Sequence, residues 1–209
     1  MRFRDRTDAG RVLATHLAHL RGADPVVVGL PRGGVPVAAE IADALETDLD
    51  VVLVRKVGAP HREELAVGAV GEDGVTVRND ALLRDLGLDW ADLAEQVARE
   101  RAEIRRRAGI LRPGPRPDLA DRTVVLVDDG IATGASVIAA LKVLRHLGAG
   151  RVVLAVPVAP PDSLRTLAPL ADEIVCPVRP GDFASVGEWY DDFTQVPEEQ
   201  VRKLLECLR

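Results

Sequence analysis

Val124-Val125-Leu126-Val127-Asp128-Asp129-Gly130-Ile131-Ala132-Thr133-Gly134-Ala135-Ser136 is the stretch on which the fold turns. Four apolar residues in a row read as a short strand buried on both faces. Two aspartates stand where that strand ends. A turn of small residues follows at once, and Val137–Leu147 then reads as a helix stopped by Gly148. The same alternation runs outward in both directions. Upstream, Ala9, Val12, Leu13, Leu17 and Leu20 mark an amphipathic first helix. Val26–Val28 is a strand ending in Gly29-Leu30-Pro31-Arg32-Gly33-Gly34, and Val35–Leu45 is a helix with Pro36 in its first turn. A second strand over Val51–Val54 ends in Arg55-Lys56. The Gly-rich stretch Val57–Asn79 holds a hairpin around Ala66–Val70 and Val75–Val77. Asp89 caps a long helix with Trp90, Leu93, Val97, Ile104 and Leu111 on one face, and Arg112–Pro117 follows as a stiff connector. Downstream come strands at Val152–Val156 and Ile174–Val175, a helix over Asp162–Leu170 between them, and a tail helix over Glu198–Leu208. Near-continuous apolar strands alternating with helices predict an α/β fold, a mostly parallel twisted sheet flanked by helices. Ligands of such sheets bind at the carboxyl ends of the strands.

Length and composition bound the rest. The chain has 209 residues, 47% hydrophobic and 29% charged, an ordinary balance for one globular domain. No uncharged stretch reaches the ~20 apolar residues of a membrane span. The start, Met1-Arg2-Phe3-Arg4-Asp5-Arg6, has no apolar segment of the secretory kind, so the expected location is cytoplasmic. The net charge of −6 argues against a broad nucleic-acid surface. Cys176 and Cys207 are too few for a disulfide framework, and none of His16, His19, His61 and His146 stands at a zinc-ligand spacing.

The chemistry lies in the opening stretch. Its small residues leave backbone N–H groups unobstructed, and the helix start adds positive potential, so the turn suits a phosphate. Thr133 and Ser136 add hydroxyl donors. Asp128 and Asp129 cannot hold a phosphate, but they can accept hydrogen bonds from vicinal sugar hydroxyls. A molecule with a 5′-phosphate and free 2′,3′-hydroxyls fits both halves. Four apolar residues, two acids and a small-residue phosphate loop resemble the signature that binds 5-phosphoribosyl 1-pyrophosphate (PRPP) in type I phosphoribosyltransferases. The likeness spans roughly Val26 to Val156 and points in particular to stand-alone bacterial members of undefined base specificity.

The resemblance implies one phosphoribosyltransferase-like domain over residues 1–209. Its core would run over about 22–175, with a flexible loop over about 57–79 and a hood from about 176–196 joined by the amino-terminal segment. It implies transfer of the 5-phosphoribosyl group to a nitrogenous base with release of pyrophosphate, aided by Mg²⁺. Asp128 and Asp129 would hold the ribose and meet Mg²⁺ through water. Ile131, Ala132, Thr133, Gly134, Ala135 and Ser136 would hold the 5′-phosphate. Arg32, Gly33 and Gly34, in a loop that in the family often has an unusual peptide geometry, would bind pyrophosphate together with Arg55 and Lys56. His61 and Arg62 would close over it, and Glu63 and Glu64 would orient Arg62 or lie on the surface. Four of the six aromatic residues fall between Phe183 and Phe193, and Phe183, Trp189 and Tyr190 are the candidates for a flat wall against a base. Where the 6-oxopurine branch has an aspartate before the Thr-Gly pair, this chain has Ala132, which disfavours hypoxanthine and guanine. The expected partners are PRPP and a small base, with neither nucleic acid nor membrane, in a homodimer as is common in the family. The rival reading is a non-catalytic regulator of the same fold that senses PRPP or a nucleotide.

Overall fold

A computed structural model describes residues 1–112 and 114–208; Pro113 of the expected connector and the side chains of Glu63 and Glu64 lie outside the described residues. Asp5 caps the first helix, α1 (Arg6–His16), by accepting from the Asp8 amide. The chain then enters β1 (Val26–Gly29), α2 (Gly34–Leu45) and β2 (Leu49–Val51). An antiparallel segment follows: β3 (Val54–Ala59), β4 (Arg62–Gly71) and β5 (Thr76–Arg78). A short α3 (Asp80–Leu86) leads through a 3₁₀ turn at Trp90–Leu93 to the long α4 (Ala94–Leu111). The second half runs β6 (Thr123–Val127), α5 (Ala135–His146), β7 (Arg151–Ala155), α6 (Pro161–Leu167), β8 (Glu173–Val175) and α7 (Glu198–Cys207).

The central sheet has the order β2-β1-β6-β7-β8, and all its pairings are parallel. Because successive side chains alternate across a strand, it carries a core on each face. Val27, Val125, Val127 and Val153 face α1, α2 and α7 through Leu13, Leu17, Ile41, Val201 and Leu205. Val26, Val28, Val124, Leu126 and Leu154 face α5 and α6 through Val137, Leu141, Leu144 and Leu167. This is the expected mostly parallel sheet flanked by helices. Among the described residues no helix is long and apolar enough to cross a membrane.

Three expectations are corrected. The second strand does not run through Val51–Val54: β2 stops at Val51, the buried Val52 and Leu53 turn the chain, and β3 opens a separate three-stranded sheet. Arg55 and Lys56 therefore lie inside an antiparallel strand and not at the end of a core strand. Nor is the 57–79 stretch a free loop. Its β4–β5 hairpin pairs Gly68 with Arg78 and Val70 with Thr76, and Val57, Val67 and Val70 are fully buried. Burial on this scale makes it part of the core; Pro60, His61 and Arg62 form the exposed tip of the β3–β4 hairpin, His61 at φ +61°. Finally, α3 has no counterpart in the sequence reading, although Asn79 caps it and Gly87 ends it.

Candidate functional site

The strand order reverses between β1 and β6: from β1 the chain builds toward β2, and from β6 toward β7 and β8. Such a switch leaves a crevice at the strands' carboxyl ends, where Gly29 is paired with Val127. Two loops leave side by side. The first is tied down by the Leu30 amide donating to the Val127 carbonyl at 2.8 Å, and its Pro31–Arg32 peptide is cis. Gly33 and Gly34 let this loop lie directly on the second one. A side chain at 33 would occupy the place of the Asp129 carboxylate, and one at 34 would come within 2.6 Å of the Val127 carbonyl oxygen.

The two aspartates of the second loop point to different partners. Asp128 lines a cavity of about 150 Å³ with Lys56 and residues Gly130–Val137. Its Oδ1 accepts from the Asp129 amide at 2.9 Å. Asp129 turns back toward the amino terminus, where Arg6 Nε donates to its Oδ2 at 2.7 Å. Arg6 also donates through Nη1 to the Thr194 carbonyl at 2.8 Å and stacks 4.0 Å over the Phe193 ring. Tyr190 Oη donates to the Asp129 carbonyl at 2.6 Å. Burial, reinforced by the neighbouring Asp129 charge, pushes the Asp128 carboxyl well above the ordinary range. Burial also raises Asp129, against the opposing hydrogen bond from Arg6.

From Gly130 onward the loop is anchored at its start and open afterwards. Ile131 is buried and its amide donates to the Val158 carbonyl at 2.9 Å, so this N–H is not available to a phosphate. Ser163 Oγ donates to the Ala132 carbonyl at 2.5 Å. The amides of Ala132, Thr133 and Gly134 meet no protein acceptor among the described residues, and the first-turn amides of α5 point the same way by helix geometry. Thr133 and Ser136 are exposed beside them.

The pair Arg55-Lys56 is split by strand alternation. Lys56 faces α5 and lines both the small cavity and an adjoining one of about 390 Å³ between α5 and the antiparallel sheet. Arg55 faces the other way, onto α4, with Nε donating to Glu100 Oε2 at 2.7 Å. The structure thus brings Asp128, Lys56 and the Ala132–Ser136 amides around one space, with Asp129 and the Arg32–Gly34 loop alongside. It leaves Arg55 outside, and His61 and Arg62 at the hairpin tip. Tyr190 is 2% exposed and packs between Phe3 and Phe193, with ring centroids 5.5 and 5.0 Å away. It is a pillar of the cap and not a free wall; burial raises its phenol pKa. Phe183 and Trp189 are half-buried on the same cluster. Arg6 is the site residue that sequence reasoning missed, since an arginine in the first turn of a helix carries no local mark of its partner.

The model of the "Phosphoribosyl transferase domain" family matches residues 6–186. A Mycobacterium tuberculosis H37Rv protein named "Putative phosphoribosyl transferase Rv0571c" is 50% identical over 205 residues, 98% of this chain and 46% of that protein. The chain thus spans about half the length of the curated relatives it matches. The crystal structure of TT1426 from Thermus thermophilus is 50% identical and superposes with a TM-score of 0.90 over 100% of this chain and 99% of that one. The Aquifex aeolicus protein AQ2163, at 14% identity, shares the fold with a TM-score of 0.51 over 85% of this chain and 77% of its own.

Proposed function

The chain belongs to the phosphoribosyl transferase domain family, and from that premise we propose that it transfers the 5-phosphoribosyl group of PRPP to a nitrogenous acceptor and releases pyrophosphate. One observation carries this reading: a carboxylate, a lysine and a run of open amides surround one cavity at the switch point of the sheet. In this reading the amides of Ala132–Ser136 and the α5 amino terminus hold the 5′-phosphate. Asp128 accepts a ribose hydroxyl. The Arg32–Gly34 loop and Lys56 take the pyrophosphate, Lys56 as a point charge. Positioning and fixed electrostatics then supply the acceleration of the displacement at C1.

Among the described residues no three His, Cys, Asp or Glu side chains gather as a metal cage. The oxygen donors of Asp128 still suit Mg²⁺, which keeps several waters and is commonly held by one or two carboxylates plus substrate phosphates. Asp128 would hold the ion there, and the chemistry supplied would be charge neutralisation on the leaving diphosphate.

The test is pyrophosphate release from PRPP with Mg²⁺ across purine, pyrimidine and other nitrogen acceptors. Acceptor-dependent release is expected, with hypoxanthine and guanine poor because of Ala132. Asp128→Asn and Lys56→Gln should each lower kcat/KM by about 10²–10³-fold, the effect of removing one preorganised electrostatic contact. Arg55→Gln, on the opposite face of β3, should stay within about twofold, well under the ~1.4 kcal/mol of a tenfold change. PRPP binding without release across the panel would turn the assignment toward a sensor.

A further inference from the structure

We propose that Arg6 is a positioning residue, which sets the Asp129 carboxylate against the ribose side of the site and ties its placement to the carboxy-terminal segment Phe193–Thr194. The inference rests on the PRPP reading above and adds to it a residue 123 positions distant in the chain from its partner. Four observations converge. The Arg6 side chain is 12% exposed and that of Asp129 is 15%, so the ion pair is largely withdrawn from water. Arg6 is held from three directions at once, by Asp129 Oδ2, by the Thr194 carbonyl and by the face of Phe193. A planar guanidinium with donors on several edges can meet these demands together, whereas an ammonium cannot. Gly33 leaves the space that the Asp129 carboxylate fills, and Arg6 Nε lies 3.2 Å from where a side chain at 33 would begin. Asp129 is therefore packed against the Arg32–Gly34 loop with Arg6 on the same carboxylate oxygen, while Tyr190 fixes its carbonyl.

The ion pair engages Oδ2 and leaves Oδ1 to accept a ligand hydroxyl. Arg6 touches neither reacting atoms nor ligand in this account; it acts through Asp129. Because its two remaining anchors lie on residues 193 and 194, a change there reaches the ribose side through one side chain.

The experiment measures PRPP binding, with Mg²⁺, by calorimetry on the full chain and on Arg6→Gln, Arg6→Lys, Asp129→Asn, Phe193→Ala and the double variants Arg6→Gln/Asp129→Asn and Phe193→Ala/Asp129→Asn, each checked for native circular dichroism. Arg6→Gln should weaken PRPP at least tenfold, Arg6→Lys should recover part of that loss, and the Arg6→Gln/Asp129→Asn variant should bind no more weakly than Asp129→Asn alone. Phe193→Ala, which leaves the ion pair in place, should weaken PRPP severalfold and add nothing in the Asp129→Asn background. A merely structural role would lower thermal stability without this loss of additivity. PRPP affinity of Arg6→Gln within twofold of the parent, or losses that multiply in the double variant, would overturn the inference and leave the PRPP reading standing. If Arg6→Gln does not fold, Phe193→Ala and Arg6→Lys carry the same test. If the unaltered chain does not bind PRPP, the reading itself fails and the inference falls with it.

Discussion

Asp128 and Asp129 are neighbours in sequence, yet they occupy different electrostatic surroundings. Asp129 has a guanidinium against its carboxylate, while Asp128 has burial and a neighbouring negative charge, both of which disfavour ionisation. A carboxyl whose folded-state pKa lies above its unfolded value binds its proton more tightly when folded. Its contribution therefore favours folding below the ordinary carboxylate range and is lost as pH rises through the raised folded pKa. Asp128→Asn removes that liability, so this variant should be less active and more heat-stable at neutral pH. Thermal unfolding between about pH 4 and pH 8 should show the gap between variant and parent widening as pH rises, each kcal/mol recovered appearing as about 2–4 °C. A gap that narrows with rising pH would contradict the assignment.

Among the elements, the junction of β2, the 3₁₀ turn after β4 and the end of α4 is held by charge in the interior. Arg112 donates to Asp50 Oδ1 at 2.8 Å, to Glu72 Oε1 at 2.5 Å and to the Val51 carbonyl at 2.5 Å. Glu72 in turn accepts from the Leu53 amide and forms an ion pair with Arg116. The side chains of Arg112, Asp50 and Glu72 are 8%, 2% and 6% exposed. Burial opposes the charge on Arg112, but the hydrogen bonds and charges of Glu72 and Asp50 outweigh it and raise its pKa. This cluster lies where the chain leaves the parallel sheet for the antiparallel one, and its position accounts for β2 ending early. Arg112→Met leaves the buried Asp50 without its counter-charge and Glu72 with Arg116 alone, and should destabilise the fold by about 3–5 kcal/mol, read from urea unfolding. A loss below about 1 kcal/mol, the range of an exposed pair, would show that the cluster is wetter than its burial implies.

For the molecule as a whole, the amino-terminal segment and the Phe183–Phe193 stretch pack together beside the second loop. Phe3 is fully buried, forms a bridge with Tyr190 and exchanges backbone hydrogen bonds with Trp189 and Asp191. Its ring packs on Tyr190, which packs on Phe193, on which Arg6 rests. Phe3, Arg6, Tyr190 and Phe193 thus form one assembly that meets Asp129 through Tyr190 and Arg6. Phe3→Ala should cost about 3–5 kcal/mol of stability, in the range for deleting a buried aromatic ring, and should weaken PRPP binding as the support of Arg6 loosens. Chemical denaturation and calorimetry on the same protein check both halves of that expectation.

The amino-acid sequence by itself determined the alternating order of strands and helices, the buried character of Val26–Val28 and Val124–Val127, and the small-residue turn after Asp129 that opens into a helix. These follow from local physics: apolar runs, helical period, glycine freedom and the amides of a helix start all act within a few residues. Tertiary structure alone decided that Asp128 faces the cavity while Asp129 faces Arg6, that Lys56 faces α5 while Arg55 faces Glu100 on α4, that the Ile131 amide is spent on Val158, and that Tyr190 is a pillar. For the two pairs the reason is alternation, and in all four cases it is distance along the chain. Neighbouring residues on extended backbone point in opposite directions, and which direction meets which partner depends on segments brought together from far along the chain, as Arg6 is brought to Asp129.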